Sequence, residues 1–302
     1  MQKTKNIEFK SQNATLRGQM LLPENCEVNC PTVIMAHGFS TSIEMTANKY
    51  AAAFREAGYL VIIYDHYGLG KSEGLPRQDI NYSIQARGFI DCLDFACSQA
   101  EVDPTRIALW GCSSSARLAY MVGSIDHRPK VILAQVPAFG ADLGVEDSDN
   151  QAYNYTKKVV MSDDISQYKS DVTGPVRVVS RDQEAAPSYL YHPTAANWFL
   201  EYGNRPDAGW VNEVTVTRVD DPFGYHPLHS AKHLQSAVLL VVAHDEEIEG
   251  AAPAVVRQIF DSLEVPKKWV DIDGGHFGLL YYPSALFDKA SQAEINFLNE
   301  HL

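Results

Sequence analysis

The stretch RIALWGCSSSA, residues 106–116, joins a short apolar run to a polar turn and a second apolar pattern. The run at 106–111 is apolar without alternation, which is typical of a strand buried on both faces of a parallel sheet. The segment that follows, 114–123, has the periodicity of a helix. A strand, a sharp turn and a helix in this order form the context in which a nucleophilic serine is held on a tight turn. We therefore take Ser113 as the candidate nucleophile.

A sharp turn at Ser113 requires small residues two positions before and two positions after it. Gly111 and Ser115 meet this requirement, although the pattern G-x-S-x-S differs from G-x-S-x-G at its last position. Registers centred on Ser114 or Ser115 fit less well, because a larger residue than Gly111 then stands two positions before the nucleophile. The structural alternative is a polar helix N-cap, for which serine is also favoured.

Five more apolar runs repeat the pattern of the first one. They occupy residues 32–37, 59–65, 130–137, 237–244 and 267–274. Helical periodicity fills the intervals at residues 46–57, 82–99, 253–263 and 284–302. This alternation predicts right-handed crossovers and an α/β, doubly wound sheet. A weakly alternating segment at 7–22 predicts an antiparallel hairpin, which brings the mostly parallel sheet to eight strands.

Residues 139–225 break this rhythm. No clean strand is visible there, and helical patches occur near 153–160 and 195–202. Structureless loops of this length are uncommon in compact domains, so we predict a cap inserted into the core. The core then consists of residues 1–138 and 226–302.

The predicted cap is rich in aromatic residues. Trp198, Tyr189 and Tyr191 are candidate contacts for an apolar or aromatic substrate, because binding pockets are mostly apolar. The alternative is that these side chains only pack the cap against the core.

The tripeptide His37-Gly38-Phe39 stands directly after the run at 32–37. A loop in this position donates one backbone N–H to an oxyanion hole. Phe39 N–H is therefore one candidate donor, and Ser114 N–H, which follows the nucleophile, is the other. The alternative for an isolated His-Gly pair is an ordinary turn.

His276 lies on a glycine-flanked loop after the last predicted strand. A serine hydroxyl needs a base within hydrogen-bond distance, and a histidine on such a loop can reach it. A carboxylate must hold the tautomer of that histidine, and Asp245, Glu246 and Glu247 follow the run at 237–244. Glu246 fits a turn of three residues and Asp245 fits a shorter turn, so both stay open. We expect the unused acids to be solvated loop charges.

The order serine, acid, histidine, with His-Gly upstream, resembles the α/β-hydrolase superfamily. Residues 65–72, DHYGLGKS, resemble the D-x-x-G-x-G-x-S turn of that family, whose glycines permit tight backbone geometry. The tail VVAHDEE…PKKWVDIDGGHFGLLY is similar to dienelactone-hydrolase-like and fungal polyketide thiohydrolase-like members. In several of these members the acid lies three residues after the strand alanine, which implies Glu246. The resemblance covers nearly the whole chain except the cap.

These residues predict a serine hydrolase that cleaves an ester, thioester or amide of a small substrate through an acyl-enzyme. Such a reaction needs no cofactor and no metal. Two alternatives remain: a C–C bond hydrolase or lyase on the same scaffold, and a catalytically silent binding module.

The net charge of −13 argues against a nucleic-acid partner and against adsorption to an anionic membrane. The start MQKTKNIEFK lacks the apolar region of a signal peptide, and no apolar run approaches the about 18 residues of a membrane span. Five cysteines are too few for a disulfide framework, and we interpret Cys26 and Cys30 as ordinary small residues. We expect a cytoplasmic protein with a small acyl substrate; the sequence leaves a homo-oligomer open.

Overall fold

A large sheet of eight strands runs through the protein. The computed structural model describes residues 4–302, and its strands are β1 (Thr4–Ser11), β2 (Ala14–Leu21), β3 (Cys30–Ala36), β4 (Leu60–Tyr64), β5 (Asp79–Asn81), β6 (Val102–Cys112), β7 (Pro129–Gln135), β8 (Ser170–Val179), β9 (Ser188–Leu190), β10 (Val214–Val219), β11 (Ala237–Ala243) and β12 (Lys267–Ile272). The order in the large sheet is β1-β2-β4-β3-β6-β7-β11-β12. β1 and β2 form the expected antiparallel hairpin, and β3, β4, β6, β7, β11 and β12 pair in parallel. The predicted α/β-hydrolase fold is therefore confirmed.

Helices cover both faces of this sheet. They are α1 (Ala47–Glu56), α2 (Tyr82–Cys97), α3 (Ser114–Ile125), α4 (Gln151–Val160), α5 (Pro193–Gly203), α6 (Pro253–Ser262) and α7 (Ala285–His301). α2, α3 and α6 pack on one face, and α1, α5 and α7 contribute to the apolar cluster on the other. β4 and β11 are buried along their whole length, which explains why their sequences are continuously apolar.

Three strands lie within residues 139–225, so the expectation that this segment contains no strand is wrong. β10 pairs antiparallel with β8 and parallel with β5, and β8 pairs with β9. Most residues of β8 are exposed, so this strand lacks the continuous apolarity of the central sheet. Its valines and threonine were the available signal, because β-branched residues favour strands.

The small sheet connects the segment 139–225 to the rest of the chain, because β5 precedes that segment. α4 and α5 correspond to the two helical patches expected there. The division into a core and a cap remains a prediction. Residues 1–3, which belong to the predicted core, lie outside the described residues.

Cys26 and Cys30 form a disulfide, so their interpretation as ordinary small residues is wrong. The short loop between β2 and β3 brings their Cα atoms to 5.8 Å, a separation that a disulfide spans. Sequence spacing alone does not reveal this approach. In the described range, no helix combines the length and the apolarity that a membrane crossing requires.

Candidate active site

Ser113 occupies the sharp turn between β6 and α3. Its backbone has φ +56° and ψ −116°, in a region that residues other than glycine rarely adopt. Gly111 permits this turn, because a Cβ at that position would lie 2.1 Å from the carbonyl oxygen of Ser115. The turn leaves the Ser113 side chain half-buried at the end of the strand. Such strained backbone is a common feature of functional positions.

Ser115 explains the departure from the G-x-S-x-G pattern. Its hydroxyl donates to the carbonyl of His37 at 2.5 Å and lies 2.8 Å from Nε2 of His66. Because the hydroxyl proton is used on His37, Nε2 of His66 is the donor in the second bond. Burial lowers the pKa of His66 well below its usual value, with the nearby His37 acting in the same direction, so its ring stays neutral. The Ser115 hydroxyl thus connects the turn to the loop after β3 through its hydrogen bond with His37.

Gly38 packs directly against the turn that carries Ser113. A Cβ on Gly38 would lie 3.2 Å from the carbonyl oxygen of Cys112 and 3.4 Å from Cβ of Ser113. The next N–H in the chain is that of Phe39, and Ser114 supplies the N–H after Ser113. Neither N–H has an acceptor within residues 4–302, so both are free to donate to a substrate oxygen.

His276 connects to Ser113 on one side and to Glu246 on the other. Its Nε2 lies 2.9 Å from Oγ of Ser113, and its Nδ1 lies 2.8 Å from Oε2 of Glu246. Only 2% of the His276 side chain and 5% of the Glu246 side chain are exposed. The second oxygen of Glu246 accepts from the backbone N–H of Ile248 at 2.8 Å. The carboxylate is therefore fixed from both sides.

The two other acids have different surroundings. Asp245 is exposed, as expected for an unused loop charge. Glu247 is not a solvated charge, contrary to expectation: its Oε2 accepts from the backbone N–H of His276 at 2.7 Å. Gly275 makes room for this contact, because a Cβ there would lie 2.4 Å from Oε2 of Glu247. The paired glycines before His276 were the only signal of this contact in the sequence.

An apolar cavity opens at Ser113 and His276. Its walls include Trp198 and Phe199 from α5 and Ala47 from α1. Trp198 is almost fully buried, and its Nε1 donates to the carbonyl of Leu280 at 3.2 Å. The sequence analysis did not predict that α1 lines the cavity, because apolar residues that face a cavity and apolar residues of the core look the same in the sequence.

The two tyrosines predicted to contact substrate lie outside the lining of this cavity. Tyr189 stacks on Phe39 with 4.8 Å between ring centroids. Tyr191 is exposed, and its hydroxyl donates to Glu249 at 2.6 Å. Both residues lie on or next to β9, which the sequence analysis had left unassigned.

Two further hydroxyl groups of the cavity are engaged with the backbone. The Thr41 hydroxyl donates to the carbonyl of Gly38 at 3.0 Å, and the Ser42 hydroxyl donates to the carbonyl of Ala208 at 2.5 Å. Burial raises the pKa of the Cys112 thiol, which keeps it protonated. Within residues 4–302, no three His, Cys, Asp or Glu side chains are grouped in a way that could hold a metal ion. Ser113 and His276 thus lie at a mainly apolar space.

Comparison with known proteins identifies the family of this chain. The family model described as X-Pro dipeptidyl-peptidase (S15 family) matches residues 13–254. A thiohydrolase of Arthrinium phaeospermum, apmlB, is 28% identical, with 98% of this chain and 96% of the relative covered. The polyketide transferase af380 of Aspergillus fumigatus is 24% identical, with 98% of both chains covered.

A solved structure shares the fold over the same extent. The α/β hydrolase GrgF from Penicillium sp. sh18 has a TM-score of 0.73 at 20% identity, and 99% of each chain is covered. The family match spans most of the eight-stranded sheet and includes both Ser113 and Glu246. The chain therefore belongs to the X-Pro dipeptidyl-peptidase (S15) family of the α/β-hydrolase superfamily.

Proposed function

We propose that this protein is a serine hydrolase that cleaves a thioester or ester of a small apolar acyl group through an acyl-enzyme on Ser113. The observation that carries the proposal is one continuous set of hydrogen bonds, from Ser113 through His276 to Glu246, at the mouth of an apolar cavity. A nucleophile, a base and a carboxylate that orients the base are the three parts such chemistry requires.

In the first half-reaction, Oγ of Ser113 attacks the acyl carbon while Nε2 of His276 takes the hydroxyl proton. Glu246 accepts from Nδ1 of His276, which stabilises the imidazolium. The N–H groups of Phe39 and Ser114 donate to the oxyanion, and each such donor lowers the barrier by about 3 kcal/mol. His276 then gives its proton to the leaving thiol or alcohol, and the acyl group stays on Ser113.

In the second half-reaction, water attacks the acyl-enzyme. His276 takes a proton from that water and gives it to Oγ of Ser113 as the tetrahedral intermediate breaks down to a carboxylic acid and free Ser113. The balance is one water consumed, with one acid and one thiol or alcohol released. No other reactant enters the cycle.

Two observations favour a thioester or ester over a peptide substrate. A peptidase that recognises a peptide N-terminus needs an acid to bind the ammonium group, and among the described residues that line the cavity there is no Asp or Glu. The names thiohydrolase and polyketide transferase, carried by relatives that match along 96–98% of their length, also concern acyl groups rather than peptides.

The proposal is tested with a fluorophosphonate probe and with a series of acyl thioesters and p-nitrophenyl esters. We expect the native protein to be labelled and to hydrolyse these substrates. Ser113→Ala should abolish labelling and lower kcat by about 10³-fold or more, because the three residues act as a unit. Ser98→Ala, at an exposed serine, is the matched control and should behave like the native protein.

Two other outcomes of these experiments would support the two alternative functions. A native protein that is not labelled and turns over no substrate is a silent binding module. If the native protein cleaves a β-diketone but hydrolyses neither esters nor thioesters, it is a C–C bond hydrolase. Full activity in Ser113→Ala contradicts the proposed nucleophile.

A further inference from the structure

A second cleft lies beside the first turn of α3. Its lining includes Arg117 from α3, Arg218 from β10 and Tyr82 from the start of α2. Tyr155 from α4 and Tyr225 complete its aromatic wall. The cleft therefore combines two cations with several aromatic rings, whereas the first cavity contains no arginine or lysine.

Arg117 has no anionic partner in the described part of the chain. Its Nε is buried and has no hydrogen-bond acceptor. Its guanidinium lies 6.0 Å from the ring centroids of both Tyr82 and Tyr225. A guanidinium offers five N–H donors, and a buried donor without an acceptor costs free energy. Arg117 as a whole is half-buried and lines the cleft, so its charge faces this space without an acidic partner among the described residues.

The other groups in the cleft also favour an anion. Arg218 lines the same space, and its Nη2 donates to the hydroxyl of Tyr189 at 3.1 Å. Burial raises the pKa of Tyr82 and of Tyr225 to about 12, so both phenols stay protonated. Asp221 is the one carboxylate among the described lining residues.

Both oxygens of Asp221 are engaged with the backbone. Oδ1 accepts from the N–H of Phe223 at 2.9 Å, and Oδ2 accepts from the N–H of Tyr225 at 2.5 Å. These bonds partly compensate its negative charge. The two arginines therefore determine the electrostatic character of the cleft.

Two observations place the cleft near the candidate active site. Arg117 lies four residues after Ser113, which is about 6 Å along the helix axis. Phe39 lines the apolar cavity and stacks on Tyr189, whose hydroxyl holds Arg218. A substrate that extends from Ser113 along α3 would bring its second portion to the cleft.

We propose that this cleft is an anion subsite, in which Arg117, assisted by Arg218, binds a phosphate or carboxylate group carried by the substrate. The inference rests on the proposed function for the reaction itself. The anion has two sources, a phosphate on the thiol leaving group or a carboxylate on the acyl group. Both are oxyanions that a guanidinium binds through paired N–H donors.

Matched substrates separate the two sources. The hexanoyl thioesters of pantetheine and of 4′-phosphopantetheine differ only in the phosphate. The hexanoyl and adipoyl thioesters of N-acetylcysteamine differ only in a terminal carboxylate. We expect kcat/KM to be about tenfold higher for the anionic member of one pair, which corresponds to about 1.4 kcal/mol.

Arg117→Gln should remove that advantage and leave kcat/KM for hexanoyl-N-acetylcysteamine within about twofold of the native value. Arg117→Lys should keep part of the advantage, because it keeps the charge but not the fork of donors. Arg257→Gln is the matched control: this arginine also rests on an aromatic ring, that of Trp269, but lies on α6 outside the cleft. The inference is wrong if neither pair shows an advantage, or if the advantage persists in Arg117→Gln.

A binding measurement keeps this test separate from the reaction. Calorimetric titration of 4′-phosphopantetheine against pantetheine, and of adipate against hexanamide, needs no turnover. We expect tighter binding of one anion to the native protein and about tenfold weaker binding to Arg117→Gln. If no ester or thioester is hydrolysed but this difference is present, the proposed function fails and the anion subsite stands. Equal binding of both members in both pairs overturns the subsite.

Discussion

The carboxylate of Glu247 accepts a hydrogen bond from the backbone N–H of His276, with 2.7 Å between Oε2 and N. The preceding residue, Glu246, contacts the ring of the same histidine at 2.8 Å. Two consecutive acids thus hold two different groups of one residue. Gly275 allows this arrangement, because a side chain there would occupy the position of the Glu247 carboxylate.

Glu247 is therefore expected to act as a positioning residue for the loop that carries His276. Glu247→Ala leaves the buried N–H of His276 without its acceptor and should lower kcat about tenfold, with KM little changed. Glu247→Gln keeps an acceptor oxygen and should stay within about threefold of the native kcat. Steady-state kinetics on one thioester measure both variants. Equal losses in the two variants would show that the charge matters rather than the hydrogen bond.

Glu246 and Asp245 are expected to differ strongly in their effect on the reaction. Glu246→Gln should lower kcat by about 10²- to 10⁴-fold, because Nδ1 of His276 loses the carboxylate that fixes its tautomer. Asp245→Asn should leave kcat within about twofold, because this side chain is exposed. The rate of fluorophosphonate labelling gives a second, substrate-independent measurement. The reverse ranking would assign the role of the triad acid to Asp245.

Gly38→Ala tests the contact between the loop after β3 and the turn at Ser113. The added Cβ would lie 3.2 Å from the carbonyl oxygen of Cys112, so the loop must shift by a few tenths of an ångström. This shift moves the N–H of Phe39 relative to the substrate oxygen and should lower kcat about tenfold. Gly250→Ala is the control, because an added Cβ there meets no atom within 4 Å. An unchanged kcat in Gly38→Ala would argue against Phe39 as an oxyanion donor.

Ala47→Leu tests whether the apolar cavity holds the acyl group. The larger side chain occupies part of the cavity that Ala47 and Ser113 both line. We expect kcat/KM for octanoyl thioesters to fall about tenfold, while kcat/KM for acetyl thioesters stays within about twofold. Ala57→Leu, at the exposed end of the same helix, is the control. Equal effects on both chain lengths would exclude this cavity as the acyl pocket.

We expect Glu294 to make the free energy of unfolding depend on pH. Its carboxyl group is buried beside Trp110, whose Nε1 donates to it at 2.9 Å, and burial raises its pKa to about 8. A pKa raised above the unfolded value of 4.5 means that the folded state holds the proton more tightly. The free energy of unfolding therefore falls as pH rises from about 4.5 to about 8.

Glu294→Gln removes this dependence and keeps an acceptor for Trp110. We expect the Tm of the variant to exceed the native Tm by several degrees at pH 8.5 and by much less at pH 5. Differential scanning calorimetry at both pH values measures the difference. Glu24→Gln, at an exposed acid, should show no such change. A Tm difference that is equal at pH 5 and pH 8.5 would contradict the raised pKa of Glu294.

The central sheet and the turn at Ser113 were predictable, because both are local properties of the sequence. A strand buried on both faces must be apolar at consecutive positions, and the segments that became β7 and β11 have this property without reference to any other part of the chain. Gly111, which stands between an apolar run and a helical pattern, likewise indicates a sharp turn from the local sequence alone. The second sheet escaped detection because β8 is mostly exposed and carries no such pattern.

By itself, the sequence determined the doubly wound sheet, the turn at Ser113 and the histidine loop that follows the last strand. Only the tertiary structure decided which acid meets Nδ1 of His276, because Asp245 and Glu246 are neighbours on one loop and the choice depends on where that loop faces a residue about thirty positions later. Only the tertiary structure likewise shows that Nε of Arg117 has no hydrogen-bond acceptor, because the helices and strands that surround this side chain are distant in the sequence. Burial and pairing across long sequence separations are set by the packed chain, and no local pattern encodes them.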